Sequence, residues 1–443
     1  MLSTDLEEES MSNRCHIVNN SCNRRTEEIE RVEAFLEENG WEPTGVLEEA
    51  DLTIFFTCGF CQGRVGEDKQ TIEMIKKRLK KKARLIVGGC VPKTDPEGLA
   101  GVFQGQTMSP VDFKALDEIP GVNTTFNEIR SERGIKPVKS WKSCRSRYRS
   151  SPKPETTLIA KGIKAVKTVG IGYTLQKTAG LLLRKTKIID KQIADRETKQ
   201  DKTYEFNIAT GCSRKCSYCA IRFAVGPYRS KSVDEVMTAL ISAVDSGKNR
   251  IELYGDSIGD YGQDIGTDFG SLLAKMGSLD HEFTLGIFDL HPIPFLKYYS
   301  QIEALAQKGR LHFLYVPIQS ANPRILGLMR RSCNIEDVKE KTKELSRFPE
   351  IELQGCIIVC FPGETEEEFN DTVKFLKAVK YNNTFVHIYS DMPNTESSSM
   401  PNKVPPTVML KRYKKLRNLS LRVNLTFFEE EIKPLYQFSP SPR

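Results

Sequence analysis

The segment Thr210-Gly211-Cys212-Ser213-Arg214-Lys215-Cys216-Ser217-Tyr218-Cys219 decides how this chain is read. Its C-x3-C-x2-C spacing presents three thiolates on a short loop. Cysteine thiolate is the usual protein ligand of an iron–sulfur cluster. Three protein ligands complete only three irons of a cuboidal 4Fe–4S cluster, which leaves the fourth open to a small chelating ligand. Zinc at a structural site takes four ligands, and no obvious fourth lies beside this triplet. A zinc knot and three half-buried structural cysteines are the plainer alternatives. The spacing points to catalysis by an iron–sulfur cluster.

Outward from the loop, apolar runs alternate with helical periods. Residues 204–209 read as the strand that leads into the cysteines, and 234–243 as the helix that follows. The next strand, 250–254, ends at Gly255-Asp256-Ser257. Further strands are expected at 283–288, 313–316, 352–359 and 383–388. About six strand–loop–helix units over 203–420 suit a partial (β/α)6 barrel, whose loops beyond the strand C-termini carry the site.

Residues 12–129 show the same alternation. Strands are expected at 15–19, 52–56 and 83–89, with helices at 27–39 and roughly 67–82, making a small parallel α/β domain. Cys22, Cys58 and Cys90 each fall just beyond one of these strands. In an open parallel sheet the carboxyl ends lie along one edge, where ligands collect. Residues more than thirty positions apart thereby meet as a second three-thiolate site, against the alternative of buried structural thiols. Cys58-Gly59-Phe60-Cys61 is also a C-x-x-C pair, so Cys61 is an alternative ligand or half of a redox dithiol. Cys15 and Cys144 read as ordinary free thiols.

At 443 residues the chain exceeds one ordinary core. With 39% hydrophobic and 28% charged residues, it has the composition of a soluble protein. Its opening is acidic and lacks the features of a signal peptide or presequence. No apolar run is long enough to cross a bilayer. Twelve cysteines in a chain this long do not suggest a secreted disulfide scaffold, and thiols meant for metal need a reducing compartment, which points to the cytoplasm. The net charge of +7 is uneven: Lys136 to Lys199 holds 17 Lys and Arg against four Asp and Glu, leaving the rest at −6. This basic connector, 130–202, contains Trp141 and Tyr148 among its cations, a pattern suited to stacking and phosphate contact, to an acidic peptide, or to a plain linker. A short tail, 421–443, carries an acidic helix or clasp. Gly255-Asp256-Ser257-Ile258-Gly259 lacks the Rossmann pattern and the P-loop lysine. No nucleophile elbow is present.

The cysteine loop, with Tyr218 before its last cysteine, resembles the signature of the radical S-adenosylmethionine (SAM) enzymes. The whole stretch 15–416 resembles the radical SAM methylthiotransferases, which act on tRNA or a ribosomal protein. Supporting matches are Ser21-Cys22-Asn23, Phe56-Thr57-Cys58, Gly88-Gly89-Cys90, Tyr261-Gly262, His291-Pro292, Pro317-Ile318-Gln319-Ser320, Met329-Arg330-Arg331, Phe361-Pro362-Gly363-Glu364-Thr365 and Val404-Pro405. Departures fall near the expected pocket: Ala321 follows Gln-Ser, Ile221 to Gly226 lacks the family's proline and arginine-glycine pair, and Asp256 replaces a frequent glutamine. The usual C-terminal small β-barrel is not expected in the 23 residues after Ser420.

The resemblance implies two 4Fe–4S clusters, one on Cys22, Cys58 and Cys90 and one on Cys212, Cys216 and Cys219. It also implies SAM in two roles. One molecule methylates sulfur at the N-terminal cluster; a second is cleaved at the barrel cluster to give a 5′-deoxyadenosyl radical that removes substrate hydrogen. The protein's share is to position a cofactor that performs the hard step. By this resemblance Tyr218 packs on adenine or supports the loop, Gly255 and Asp256 approach the SAM amino group, and Gln319 and Ser320 contact ribose or carboxylate. Arg229, with Arg222 as competitor, pairs with the SAM carboxylate, and Gly363 and Glu364 form a turn and polar wall. His291 reads as a packed, loop-fixing residue; His281 and His312 have no assigned role. The expected reaction is methylthio insertion at an unactivated C–H carbon of a peptide or protein. The alternatives are a tRNA adenosine or sulfur insertion without methylation. An electron donor such as flavodoxin or ferredoxin and a membrane-free setting complete the expectation.

Overall fold

The computed structural model describes residues 13–129, the backbone strand 145–146, and residues 202–432 and 434–435. The basic connector, with Trp141, Cys144 and Tyr148, otherwise lies outside the described residues.

The N-terminal unit is a parallel sheet of β1 (Arg14–Asn19), β2 (Glu42–Pro43), β3 (Leu52–Thr57) and β4 (Arg84–Gly89) in the order β2-β1-β3-β4, with β5 (Arg145–Ser146) also paired to β1. Period-2 alternation explains its two-faced burial. Ile17, Ile54, Phe56 and Ile86 pack on one face against Ile29, Val32, Phe35 and Leu36 of α1 (Thr26–Glu38). Val18, Phe55 and Val87 pack on the other against Val65, Ile72 and Ile75 of α2 (Gln62–Arg78). Helix α2 starts and ends earlier than the sequence pattern suggests. Cys61 is extended and begins the first turn through Val65 N–H to its carbonyl, and Leu79 leaves the helix as its cap. Lys76, Lys77 and Arg78 already fill the last turn, where cations suit the helix dipole.

The second unit is built on parallel strands β6 (Thr203–Thr210), β8 (Arg250–Gly255), β9 (Thr284–Ile287), β10 (Leu311–Gln319), β11 (Glu352–Val359) and β12 (Asn383–Ile388), with the short antiparallel β7 (Arg229–Ser230) at one edge. The strands run in spatial order and the sheet stays open, the partial barrel expected from the alternating pattern. Helices such as Val233–Asp245, Phe269–Gly277, Ile335–Leu345 and Glu366–Ala378 line its outside. A seventh parallel strand, β13 (Leu425–Phe427), pairs with β12, so the sheet continues beyond Ser420, where the sequence reading ended it. A three-residue strand ahead of Glu429-Glu430-Glu431 gives almost no periodic signal. Helix α3 (Glu429–Ile432) follows it.

The two units meet along the carboxyl ends of both sheets. The Asn207 amide donates to the Arg24 carbonyl at 2.9 Å, and its backbone N–H donates to the Glu27 carboxylate at 2.7 Å. Lys231 pairs with Glu27 at 2.8 Å. At the far end of the seam Gln62 N–H donates to Ser390 Oγ, and Arg64 pairs with Glu430 of α3 at 3.0 Å.

Candidate functional site

Parallel register places the N-terminal trio. Asn19 stands beside Phe56, and Thr57 beside Gly89, so the turns carrying Cys22, Cys58 and Cys90 leave the sheet at one level. Gly89 has φ +85°, and a Cβ there would lie 2.4 Å from the Thr57 carbonyl oxygen, so this turn requires glycine. Thr57 Oγ donates to the Gly88 carbonyl and accepts from Val91 N–H, while Cys90 N–H reaches the Thr57 carbonyl. Asp68 of α2 holds the other two turns: its oxygens accept from Cys58 N–H at 2.6 Å and from the Asn20 amide at 2.9 Å.

The barrel trio sits on the loop after β6. Gly211 has φ +77°, and a Cβ there would lie 2.1 Å from the Pro227 carbonyl oxygen. Ser217 ties the loop to the opposite wall through Met329 and Leu328 carbonyls. Arg214 reaches back to Ser257 and Asp260, the latter at 2.6 Å. Tyr218 packs beside Ile325, Met329 and Ile358.

Two cavities adjoin along the seam. One is lined by Cys212, Cys216, Cys219, Tyr218, Asp256 and Gln319, with Arg222 and His291 also on its wall. The other is lined by Cys22, Cys58 and Cys90, with Asp256 and Cys61. Arg24, Phe60, Cys61, Asp256, Tyr315 and His387 belong to both linings.

The remaining sequence-selected residues line neither cavity. Arg229 is exposed in β7, leaving its competitor Arg222 at the wall. Gly255 ends β8, and a Cβ there would lie 3.3 Å from the Ala209 carbonyl oxygen. Ser320 is fully buried and accepts from Asn322 N–H beside Thr372. Gly363 donates to the Asn402 carbonyl; Glu364 accepts from Cys360 N–H and from Arg412, with which it forms a buried pair at 2.9 Å. Pro317 cannot donate to the ladder, and the β10 register shifts across it. Gln319 beyond it takes φ +71° and accepts from Cys356 Sγ at 3.7 Å.

Asp256 holds the seam together. One oxygen accepts from Arg25 at 2.5 Å and the other from Gly211 N–H at 3.0 Å, at the foot of the cysteine loop. The side chains of Arg25 and Asp256 are 3% and 2% exposed. Arg331 was quoted in the sequence only as part of a motif. Buried, it donates to Cys216 Sγ at 3.6 Å and to the Pro317 carbonyl at 2.6 Å. His387 stacks on Phe428 at 4.5 Å and donates to Glu431 at 2.7 Å. Burial alone would lower its pKa, yet Cys356 and Glu431 beside it push it up to about 10. Buried side chains drawn together from three distant segments leave no local spacing to find.

Electrostatics of the thiols test whether they suit a metal cluster. Burial, then Cys22, pushes Cys58 up to about 12. Cys90 is raised by burial and, against Arg25, by Cys22 and Cys58. Burial, Cys216 and Cys212 push Cys219 up to about 11. Within each trio, then, the thiols sense one another, and their joint ionisation requires a cationic group among them. No three His, Cys, Asp or Glu side chains among the described residues are gathered around a single metal-ion position. A cuboidal cluster asks for a different arrangement, one thiolate per iron, and the all-sulfur donor sets fit it.

The fold and loop define a radical SAM enzyme. Residues 206–376 match the radical SAM superfamily, and residues 14–108 match the uncharacterized protein family UPF0004. The chain is 26% identical over 418 residues to the ribosomal protein uS12 methylthiotransferase RimO of Protochlamydia amoebophila, covering 93% of this chain and 77% of that one. It is 26% identical over 414 residues to the tRNA-2-methylthio-N(6)-dimethylallyladenosine synthase of Caldicellulosiruptor saccharolyticus, covering 91% and 77%. In fold it is similar to the radical SAM methyltransferase TsrM of Kitasatospora setae, with a TM-score of 0.54, 16% identity, and 87% and 75% coverage. The radical SAM and UPF0004 matches, together with relatives named as methylthiotransferases, support the radical SAM methylthiotransferase family and an enzyme of that class. The radical SAM match implies a 4Fe–4S cluster and SAM. No described helix is long and apolar enough to cross a membrane.

Proposed function

We propose that the enzyme inserts a methylthio group at an unactivated C–H carbon of a peptide or protein, using two 4Fe–4S clusters. The observation that carries this reading is the common wall of the two cysteine-lined cavities. Cys212, Cys216 and Cys219 hold the cluster that binds SAM; Cys22, Cys58 and Cys90 hold the second. When bound, these groups supply the radical that removes hydrogen and the sulfur that replaces it. The chain's own work is proximity: reacting groups held at a fixed separation escape much of the entropic cost of meeting. Arg25 with Asp256 and Glu27 with Lys231 fix that separation. Arg331 orients Cys216, while Tyr218, Gln319 and Arg222 form the wall for SAM. An electron donor such as flavodoxin or ferredoxin, and a cytoplasmic setting, belong to the same reading.

For the substrate, the cavity charges argue against polyphosphate recognition inside the pocket. Arg24 faces Asp289, Arg25 faces Asp256, and His387 faces Glu431, so these three cations are matched by anions, while Arg331 donates to Cys216 Sγ and the Pro317 carbonyl. Outside Lys136 to Lys199 the chain is net −6. A second reading, a tRNA adenosine, is favoured by the ring-lined wall of Phe60, Tyr315, Phe385, His387 and Phe428, a surface on which a flat base stacks. The reconstituted enzyme, supplied with SAM and reductant, is to be incubated with candidate peptides and with tRNA, and the products weighed. Added SCH2 on peptide supports the main reading, exclusive modification of tRNA supports the second, and added sulfur without methyl overturns methylthiotransfer.

A further inference from the structure

Three cysteines leave one iron of the N-terminal cluster without a protein ligand, yet four cysteines line that cavity: Cys22, Cys58, Cys61 and Cys90. Among the described residues, Cys61 is also the one cysteine that lines both cavities. Only 4% of it is exposed, so its position is fixed by packing and is not that of a surface thiol. It stands at the N-terminal boundary of the 17-residue α2 in an extended conformation, and its side chain makes no capping hydrogen bond. The turn is held from both sides: Val65 N–H bonds the Cys61 carbonyl at 3.0 Å, and Gln62 N–H bonds Ser390 Oγ across the seam at 2.7 Å.

We propose that Cys61 is a fourth, exchangeable thiolate of the N-terminal cluster, bound at rest and displaced by the sulfur that the reaction transfers. The inference rests on the two-cluster reading above. Exchange involves no net electron transfer. The bond from iron to Cys61 sulfur breaks, a bond from iron to incoming hydrosulfide sulfur forms, and the hydrosulfide proton passes to the Cys61 thiolate. The released thiol then stands at the boundary between the cavities, beside the place where sulfur meets the substrate radical. The closed form protects the cluster from oxidants, and the open form exists only while transferable sulfur occupies the site.

The test uses the full chain carrying C212A, C216A and C219A, so that only the N-terminal cluster can form, reconstituted anaerobically. This background is compared with the same chain carrying Cys61→Ala or the nearly isosteric Cys61→Ser. Each is oxidised with ferricyanide and followed by iron content and electron paramagnetic resonance. With Cys61 present the cluster is expected to keep all its irons. Both Cys61 variants are expected to lose one iron per cluster and show the signal of a three-iron species, and added hydrosulfide is expected to sensitise the parent to the same loss. Equal sensitivity with and without Cys61 overturns the fourth-ligand role alone. A Cys58–Cys61 disulfide in cluster-loaded protein overturns it in favour of a dithiol. Failure of the background to hold any cluster overturns the two-cluster reading and this inference with it.

Discussion

Neutralising Arg25 or Asp256 is expected to loosen the seam between the two sheets. Their pair is 2.5 Å long, with both side chains almost wholly buried, and it joins the turn after Cys22 to the strand end below the barrel cysteine loop. Removing one partner of a buried pair costs about 3–5 kcal/mol, because the other charge stays behind unpaired. Arg25 keeps Glu28 at 2.5 Å, and Asn at position 256 still accepts from Gly211 N–H, so the low end, about 3 kcal/mol, applies to Asp256→Asn. Arg25→Gln leaves Asp256 with that one backbone donor and is expected to cost as much. In the double variant neither charge remains, and the cycle is expected to give a coupling of about 2 kcal/mol. Equilibrium urea unfolding under anaerobic conditions, followed by fluorescence of the buried Trp41, measures all four proteins. Additive single effects, within about 0.5 kcal/mol, would refute the reasoning.

The two glycine turns separate the trios: Gly211→Ala is expected to strip iron from the barrel loop and Gly89→Ala from the N-terminal trio, each leaving the other site loaded, as iron analysis would show. His291 is kept neutral by burial and by Arg331 and Arg214, and its Nδ1 accepts from Ile293 N–H. Its folded pKa lies below the unfolded value of 6.5, so its stabilisation is complete above that pH and lost as pH falls below it, by up to about 1.4 kcal/mol per unit. His291→Asn keeps the cap and should flatten this part of the stability–pH curve; an unchanged slope counts against the assignment. Glu431→Ala leaves protonated His387 and Ile388 N–H without their acceptor, and is expected to cost about 3 kcal/mol and to speed hydrogen exchange in β12 and β13. Exchange at the parent's rate would mean that α3 does not clasp the seam.

Parallel sheets explain why so much was legible. A strand buried on both faces reads as an apolar run, and parallel register puts successive strand ends at one edge, so Cys22, Cys58 and Cys90 were traceable from their positions after 15–19, 52–56 and 83–89. The barrel loop was legible because its three cysteines are close in sequence. What stayed hidden was nonlocal. Arg25 meets Asp256 across 231 positions, and Arg331 meets Cys216 across 115. Arginine in a sequence is ordinarily a surface residue; only folding shows it buried against an anion or a sulfur. Ser320 and Glu364 illustrate the converse. Their motifs fit the family, but one side chain serves a local cap and the other a buried ion pair, away from both cavities.

Iron per chain in anaerobically purified protein tests the central claim most directly, measured for the parent, for C22A/C58A/C90A and for C212A/C216A/C219A. Two clusters predict about eight irons in the parent and about four in each triple variant. About four in the parent, unchanged when the N-terminal trio is removed, would contradict the account.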